Sequence, residues 1–281
     1  MTQLASDGTA LVAPQLIVPA YFHPAVCPGE WALLAERAAQ IRMIVLNLAS
    51  GPGTQPDAAF VTAVDRVHSA GVAVAGYVDT NYGHRSTGEV LDDISRYIAW
   101  YQVSGVFFDR VPSASESLDH YADLTLRARA IGTRVVAFNH GVHPVQDYAE
   151  HADLLGTFEG PWPAYIDMAV PRWARARPTD QFFHLVYSVP PESFGDAFML
   201  ATRRRAGCVY VTDNGGDNPW DRLPDGELYP QVLLSAGIAL PGEVRGEQRP
   251  VYAARGVGRA ELGQVLGRVA APVIGVLGVQ D

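Results

Sequence analysis

The chain has 281 residues, 48% of them hydrophobic and 18% charged, which is enough apolar material for one sizeable core. A formal charge of -9 argues against the basic face that phosphate backbones require, so no nucleic-acid partner is expected. All 21 basic residues are arginine, which excludes lysine Schiff-base chemistry, pyridoxal phosphate attachment and a P-loop.

Apolar runs alternate with amphipathic stretches from residue 16 to about residue 236. Residues 16–21 read as a first strand and 31–39 as a helix. Residues 43–47 form the second strand, and Asp57 is placed to cap a helix that runs to Ser69 and stops at Gly71. A third strand covers 72–79. Residues 87–101 follow as a helix, with Val90, Ile94, Tyr97, Ile98 and Tyr101 at helical spacing. Strand four is 105–109, followed by a helix over 115–131 that closes at Gly132. Strand five is 134–139, a short helix lies near 146–150, and strand six is 153–159. The stretch 163–175 is irregular or helical. Residues 182–187 make strand seven, 192–205 a helix, 208–212 strand eight and 228–236 a closing helix.

Alternating strand–helix units imply a parallel sheet, because each strand needs a crossover helix to return. Eight of them favour closure, so the fold class expected is α/β, a (β/α)8 TIM-type barrel forming a single domain over residues 1–240. No GxGxxG follows the first strand, which removes the best support for a dinucleotide-binding sheet. Residues 241–281 are rich in Gly, Val, Ala and Arg and read as a C-terminal extension, a candidate homo-oligomer contact. No stretch reaches the roughly 20 apolar residues of a membrane span, and the N-terminus carries no leader pattern. The expectation is therefore a cytoplasmic protein, with a secreted one numbered without its leader as the alternative.

In such a barrel the strand C-termini face the active site. Those ends and the loops after them supply Tyr21, His23, Asn47, Tyr77, Asp79, Tyr82, Asp109, Arg110, Asn139, His140, Glu159, Trp162, Tyr187, Thr212 and Asp213. Asp109 follows Val106-Phe107-Phe108, and Glu159 follows an apolar strand too. Ionisable groups are expensive in such surroundings, which marks the two as the catalytic pair. Two facing carboxylates are what glycosidic cleavage uses: one protonates the leaving oxygen, the other acts as nucleophile or as base for water. The aromatic residues suit stacking on a pyranose. For Asn47, Asp79 and Thr212, capping of the following loop competes evenly with ligand binding. Neither a cofactor nor a metal is expected: His140 and His143 have no third ligand in view, and Cys27 and Cys208 form neither a disulfide framework nor a metal pair. The run Arg203-Arg204-Arg205 reads as a solvated helix end rather than a phosphate patch.

Several segments together resemble the spherulin-4 family: Ile17 to Tyr21, Asn47 with Ser50-Gly51-Pro52-Gly53, Gly76 to Arg85, Gly105 to Asp109, Phe158-Glu159-Gly160, and Val211-Thr212-Asp213 with Asn218-Pro219-Trp220. The resemblance runs from about residue 16 to 236. It implies a barrel glycoside hydrolase that cleaves α-1,4-linked galactosamine or N-acetylgalactosamine polymers such as exopolysaccharide. It also implies that Asp109 and Glu159 match acidic catalytic positions, and that Tyr21, Asn47, Asp79 and Tyr82 line a sugar cleft. One position departs: the family carries Asp-Glu at the end of strand four, and this chain has Asp109-Arg110. Arg110 would then bind a carboxylate or phosphate of the ligand, lower the pKa of Asp109 or Glu159, or turn away to pair with a loop acid. Two other functions fit the same residues: a repurposed barrel enzyme of small-molecule biosynthesis performing acid–base rearrangement, cyclisation or elimination, and a non-catalytic carbohydrate-binding barrel.

Overall fold

Eight parallel strands close on themselves in chain order, the first pairing with both the second and the eighth. The structure is a computed structural model and describes residues 14–224. The closing helix expected at 228–236 and the extension 241–281 lie outside the described residues. The strands are β1 (Gln15–Ala20), β2 (Ile41–Leu46), β3 (Ala73–Asp79), β4 (Gly105–Asp109), β5 (Val135–Asn139), β6 (Leu154–Pro161), β7 (Phe182–Tyr187) and β8 (Cys208–Val211). Between them run α1 (Pro28–Glu36), α2 (Ala58–Ser69), α3 (Thr87–Tyr101), α4 (Leu118–Ala130), the short α5 (Trp162–Ile166) and α6 (Arg172–Arg175), and α7 (Phe194–Arg203). This is the expected (β/α)8 barrel. Its β5–β6 connection carries only a tight turn at Gln146–Glu150 in place of an α-helix.

Local sequence explains the helix boundaries. Asp57 accepts hydrogen bonds from Ala59 N at 2.8 Å and Phe60 N at 3.2 Å, which ties the first turn of α2. Ser86 and Glu89 form a reciprocal capping box on α3. Helix α1 starts earlier than its apolar periodicity suggests, because Pro28 occupies a first-turn position where its missing N–H costs nothing. Gly71 and Gly132 follow α2 and α4 with positive φ, as helix-ending glycines do.

Packing sorts residues by strand face. Phe138 of β5 points outward, its ring 5.5 Å from that of Tyr121 on α4. Inside the barrel, Phe107 lies 5.7 Å from Phe183 and 6.4 Å from Tyr77, ring centre to ring centre. This aromatic column fills the interior beneath the strand C-termini and makes an apolar floor for whatever stands above it. Gly76 lets α3 approach β3: a Cβ there would lie within 2.5 Å of the Tyr97 ring.

Candidate active site

Four consecutive strands deliver the acidic centre. The pairing of β3 with β4 sets Tyr77 beside Phe107 and Asp79 beside Asp109, all inward-facing positions two apart. Asn139 ends β5 and is paired with Gly156 of β6. Its amide nitrogen donates to Asp109 Oδ1 at 2.8 Å and to Glu159 Oε2 at 2.5 Å. Two bonds from one nitrogen keep the facing carboxylate oxygens within about 5.3 Å of each other. Tyr77 Oη donates to the other oxygen of Asp109 at 2.8 Å, and the Tyr21 ring stands edge-on to Tyr77 at 5.5 Å. The Asn139 side-chain oxygen, Oδ1, is buried and has no hydrogen-bond partner among the described residues. That orphan acceptor is the cost of turning the donor side of the amide toward both acids.

Glu159 reaches this centre because β6 is irregular. Gly156 faces the barrel interior, where a Cβ would meet Asn139 Oδ1 and the Phe183 ring. Thr157 faces outward and bonds His184 Nε2 at 3.1 Å. Strict alternation from these two would send Glu159 outward as well. The register with β7 shifts between Gly156 and Phe158, and this bulge restores Glu159 to the inner face. His184, fully buried, holds the outer side of the bulge: its Nδ1 also meets Tyr165 Oη at 2.8 Å.

The electrostatics separate Glu159 from Asp79. Burial, reinforced by the charge of Asp109 and only partly offset by the Asn139 hydrogen bond, pushes the Glu159 carboxyl up to about 7. Burial and the same two carboxylates hold Tyr21 well above the ordinary phenol range, and Tyr77 is raised by burial and by Asp109. Asp79 goes the other way. Burial alone would raise it, but the hydrogen bonds from Arg110 and Asn81 and the charges of Arg110 and Arg85 bring it below the usual carboxylate value.

Arg110 turns sideways onto Asp79. Its Nε donates to Asp79 Oδ1 at 2.7 Å and its Nη2 to Oδ2, a two-pronged ion pair. The guanidinium also lies over the Tyr82 ring, 5.6 Å from its centre. The acid it pairs with is thus a strand-end residue of the site rather than a distant loop acid, and Glu159 is raised rather than lowered in its presence.

The remaining strand-end residues divide. Tyr187 packs against Trp220 at 5.9 Å, and Trp162 against Tyr165 at 6.2 Å. Asn47 accepts from Gly51 N at 3.0 Å and Thr212 from Asn214 N at 3.1 Å, so both staple their own loops. Asp213 lies 3.8 Å from Arg222. His23 bonds Asp57 at 3.2 Å and so braces the start of α2. His140 bonds the Pro112 carbonyl at 2.9 Å and packs among Phe138 and Tyr148; burial lowers it to about 4, so it stays neutral. Among the described residues no group of three His, Cys, Asp or Glu side chains could hold a metal. Of the arginine run, Arg203 is an exposed helix end as expected, but Arg204 donates to the Tyr165 and Ile166 carbonyls and Arg205 to that of Arg177. Sequence reasoning missed Thr80 and Tyr121. The Thr80 hydroxyl donates to the Asp109 carbonyl at 2.7 Å and lies 2.6 Å from Tyr121 Oη, which fixes the end of β4. Thr80 follows the polar strand end at Asp79, and that adjacency was the available signal.

Comparison with known proteins places the chain in a family. The profile of spherulation-specific family 4 matches residues 15–231. The chain belongs to this family. Within it, Spherulin-4 of Physarum polycephalum is 29% identical over 225 residues, covering 76% of this chain and 67% of that one. Among solved structures, Sph3 of Aspergillus clavatus, crystallised in complex with GalNAc, shares the fold with a TM-score of 0.68 at 24% identity, over 80% of this chain and 98% of that one. A fungal endo-β-N-acetylglucosaminidase of glycosyl hydrolase family 18 shares it at a TM-score of 0.52 and 14% identity, over 82% of this chain and 99% of the other. The family 4 barrel described here thus shares its fold with these two proteins. No helix among the described residues is long and apolar enough to cross a membrane.

Proposed function

We propose that this chain is a glycoside hydrolase acting on an α-1,4-linked galactosamine or N-acetylgalactosamine polymer. Glu159 serves as general acid and then general base, and Asp109 as nucleophile or stabiliser of the oxocarbenium-like transition state. The observation that carries the reading is the pair itself: two carboxylates bridged by Asn139, one of them held near pH 7. A general acid needs a proton to give at working pH, and the raised Glu159 carboxyl holds one. Both acids hydrogen-bond the same amide nitrogen, so their facing oxygens lie no more than about 5.3 Å apart with that amide between them, an arrangement that favours double displacement over the wider gap that seats a water for single displacement. Retention of anomeric configuration is the expected outcome.

The amino-sugar assignment draws on the family likeness and on the fold shared with Sph3 in complex with GalNAc. Reducing-end release from an N-acetylgalactosamine polymer and from its deacetylated form tests it. Glu159→Gln and Asp109→Asn should each lower turnover about 10²–10⁴-fold while the chain stays folded. Saturable glycan binding without any product in the wild type would turn the assignment toward a binding barrel. Wild-type cleavage by both variants would remove the acid pair from the mechanism.

A further inference from the structure

Thr157 and Phe158 leave β6 on the same side. Thr157 Oγ1 meets His184 Nε2 at 3.1 Å, and the Phe158 ring lies 4.7 Å from that of Tyr165 and 6.3 Å from that of His184. Two successive residues on one face are what a bulge produces, and the residue after them is returned to the other face. Here that residue is Glu159. The inward aim of the acid is therefore set on the outside of the barrel, by whatever keeps these two side chains on Tyr165 and His184.

That outer pair is itself held. His184 Nδ1 lies 2.8 Å from Tyr165 Oη. Burial drops the imidazole to about 3, so it is neutral, with one donor and one acceptor nitrogen. Each nitrogen faces a hydroxyl, which can take either role, and the ring is satisfied on both sides. Tyr165 sits in α5, a five-residue helix that starts directly after Glu159-Gly160-Pro161. Helices shorter than about 12–15 residues do not hold their own shape in water, and α5 has neither a side-chain hydrogen bond at its N-cap nor a basic residue in its last turn. Arg204, which caps the C-terminus of α7, supplies what α5 lacks. Its Nη1 donates to the Tyr165 carbonyl and its Nη2 to that of Ile166 at 2.6 Å, and its guanidinium carbon lies 4.8 Å from the Tyr165 ring centre.

We infer that Arg204 is a positioning residue for Glu159: by pinning α5 and the Tyr165 ring it holds His184, the bulge and so the aim of the carboxyl at Asn139 and Asp109. The inference rests on the reading of Glu159 as general acid and adds to that site a residue from the outer layer of helices. The connection is mechanical rather than electrostatic. Burial, the Asp109 charge and the Asn139 hydrogen bond account for the Glu159 shift, and Arg204 is not among its causes. Loss of the cation by itself thus leaves the Glu159 titration in place; loss of the aim does not. A Glu159 turned off the inner face leaves the Asp109 charge and regains water, so its titration falls toward that of an ordinary carboxylate.

Two variants of the full chain cut the linkage at different points. Tyr165→Phe keeps the ring against Phe158 and Arg204 and removes the hydroxyl that meets His184. Arg204→Met keeps an unbranched apolar stem and removes the donors to α5. Carboxyl-selective 13C NMR should show the Glu159 titration lowered by about one pH unit or more in both. On the amino-sugar polymer, kcat should fall about tenfold or more with KM changed less than about twofold, because a misplacement of about 1 Å costs up to about 10²-fold in the chemical step. A Glu159 titration that stays near 7 in Tyr165→Phe, with or without a lowered melting temperature, overturns the inference, and so does an unmoved titration in folded Arg204→Met. Should Arg204→Met fail to fold, Tyr165→Phe decides alone. Turnover is read separately. A wild type that releases no product, with the titration moved in the variants, keeps the positioning and loses the hydrolase; full cleavage with an unmoved titration does the reverse.

Discussion

With its carboxyl held near pH 7 by burial and by the charge of Asp109, Glu159 remains protonated through mildly acidic conditions and loses its proton above neutrality. A reaction that needs that proton falls about tenfold per pH unit on the alkaline side of about 7. The limb is movable. Asn139→Ala removes the one hydrogen bond that lowers Glu159 and should shift the limb to higher pH, whereas Asp109→Asn removes a charge that raises it and should pull the Glu159 titration downward. Carboxyl-selective 13C NMR reads the titration in both variants without any need for turnover. The same shift bears on stability. Glu159 titrates higher folded than unfolded, so the folded state binds the extra proton between about 4.5 and about 7, and stability is lost as pH rises through that window. Above pH 7 the ionised group costs up to about 3 kcal/mol. Glu159→Gln should therefore match the wild type near pH 4.5 and melt higher at pH 8; a stability difference independent of pH would contradict the raised pKa.

The β6 strand shows how far the sequence could be read and where it stops. The apolar run before Glu159 marked a strand end and an expensive carboxylate, and both readings hold. What the alternation rule could not disclose is the bulge between Gly156 and Phe158, because a single unpaired residue leaves no periodic trace in an eight-residue strand. Asn139 was visible as a polar strand end, but its bridging of two acids depends on register across two pairings. The direction of Arg110 was hidden for a different reason: φ of 55° breaks the alternation on which any estimate of its facing relies. Asn47 and Thr212 were evenly balanced between capping and binding, and their hydrogen bonds run to their own loops. Gly156 is the element's tightest constraint. A Cβ there would stand 2.5 Å from Asn139 Oδ1 and 2.6 Å from Phe183 Cζ, between the bridging amide and the barrel's aromatic column. Gly156→Ala should cost about 1–3 kcal/mol and displace the Asn139 amide, so a denaturant melt and the Glu159 titration should move together. A melt shift with an unchanged titration would mean that Phe183 alone gave way. On the outer side, His184→Phe leaves the Thr157 and Tyr165 hydroxyls unpaired and should cost about 1–3 kcal/mol as well.

At the scale of the whole molecule the net charge of -9 acts on encounter rather than on chemistry. The mouth of the barrel adds to it: Asp79, Asp109 and Glu159 at their most ionised outnumber Arg110 and Arg85 beside them. A polymer of free galactosamine carries a positive charge on every unit and should be drawn in, while its N-acetylated form is neutral and feels little of the field. The two forms thus become a physical readout of which charges matter. For the deacetylated polymer, kcat/KM should fall severalfold, up to about tenfold, as salt rises from low concentration to roughly 0.15 M, where screening acts beyond about 8 Å. For the acetylated polymer it should stay nearly flat, because no long-range attraction is there to be screened. A steady-state comparison of the two at fixed pH decides between steering by the acidic barrel and recognition confined to contact distance. Equal salt dependence would place the amine discrimination in direct contacts with Asp109, Glu159 and their neighbours. A large dependence for the amine form alone would make the overall acidity of the chain part of how it finds its substrate.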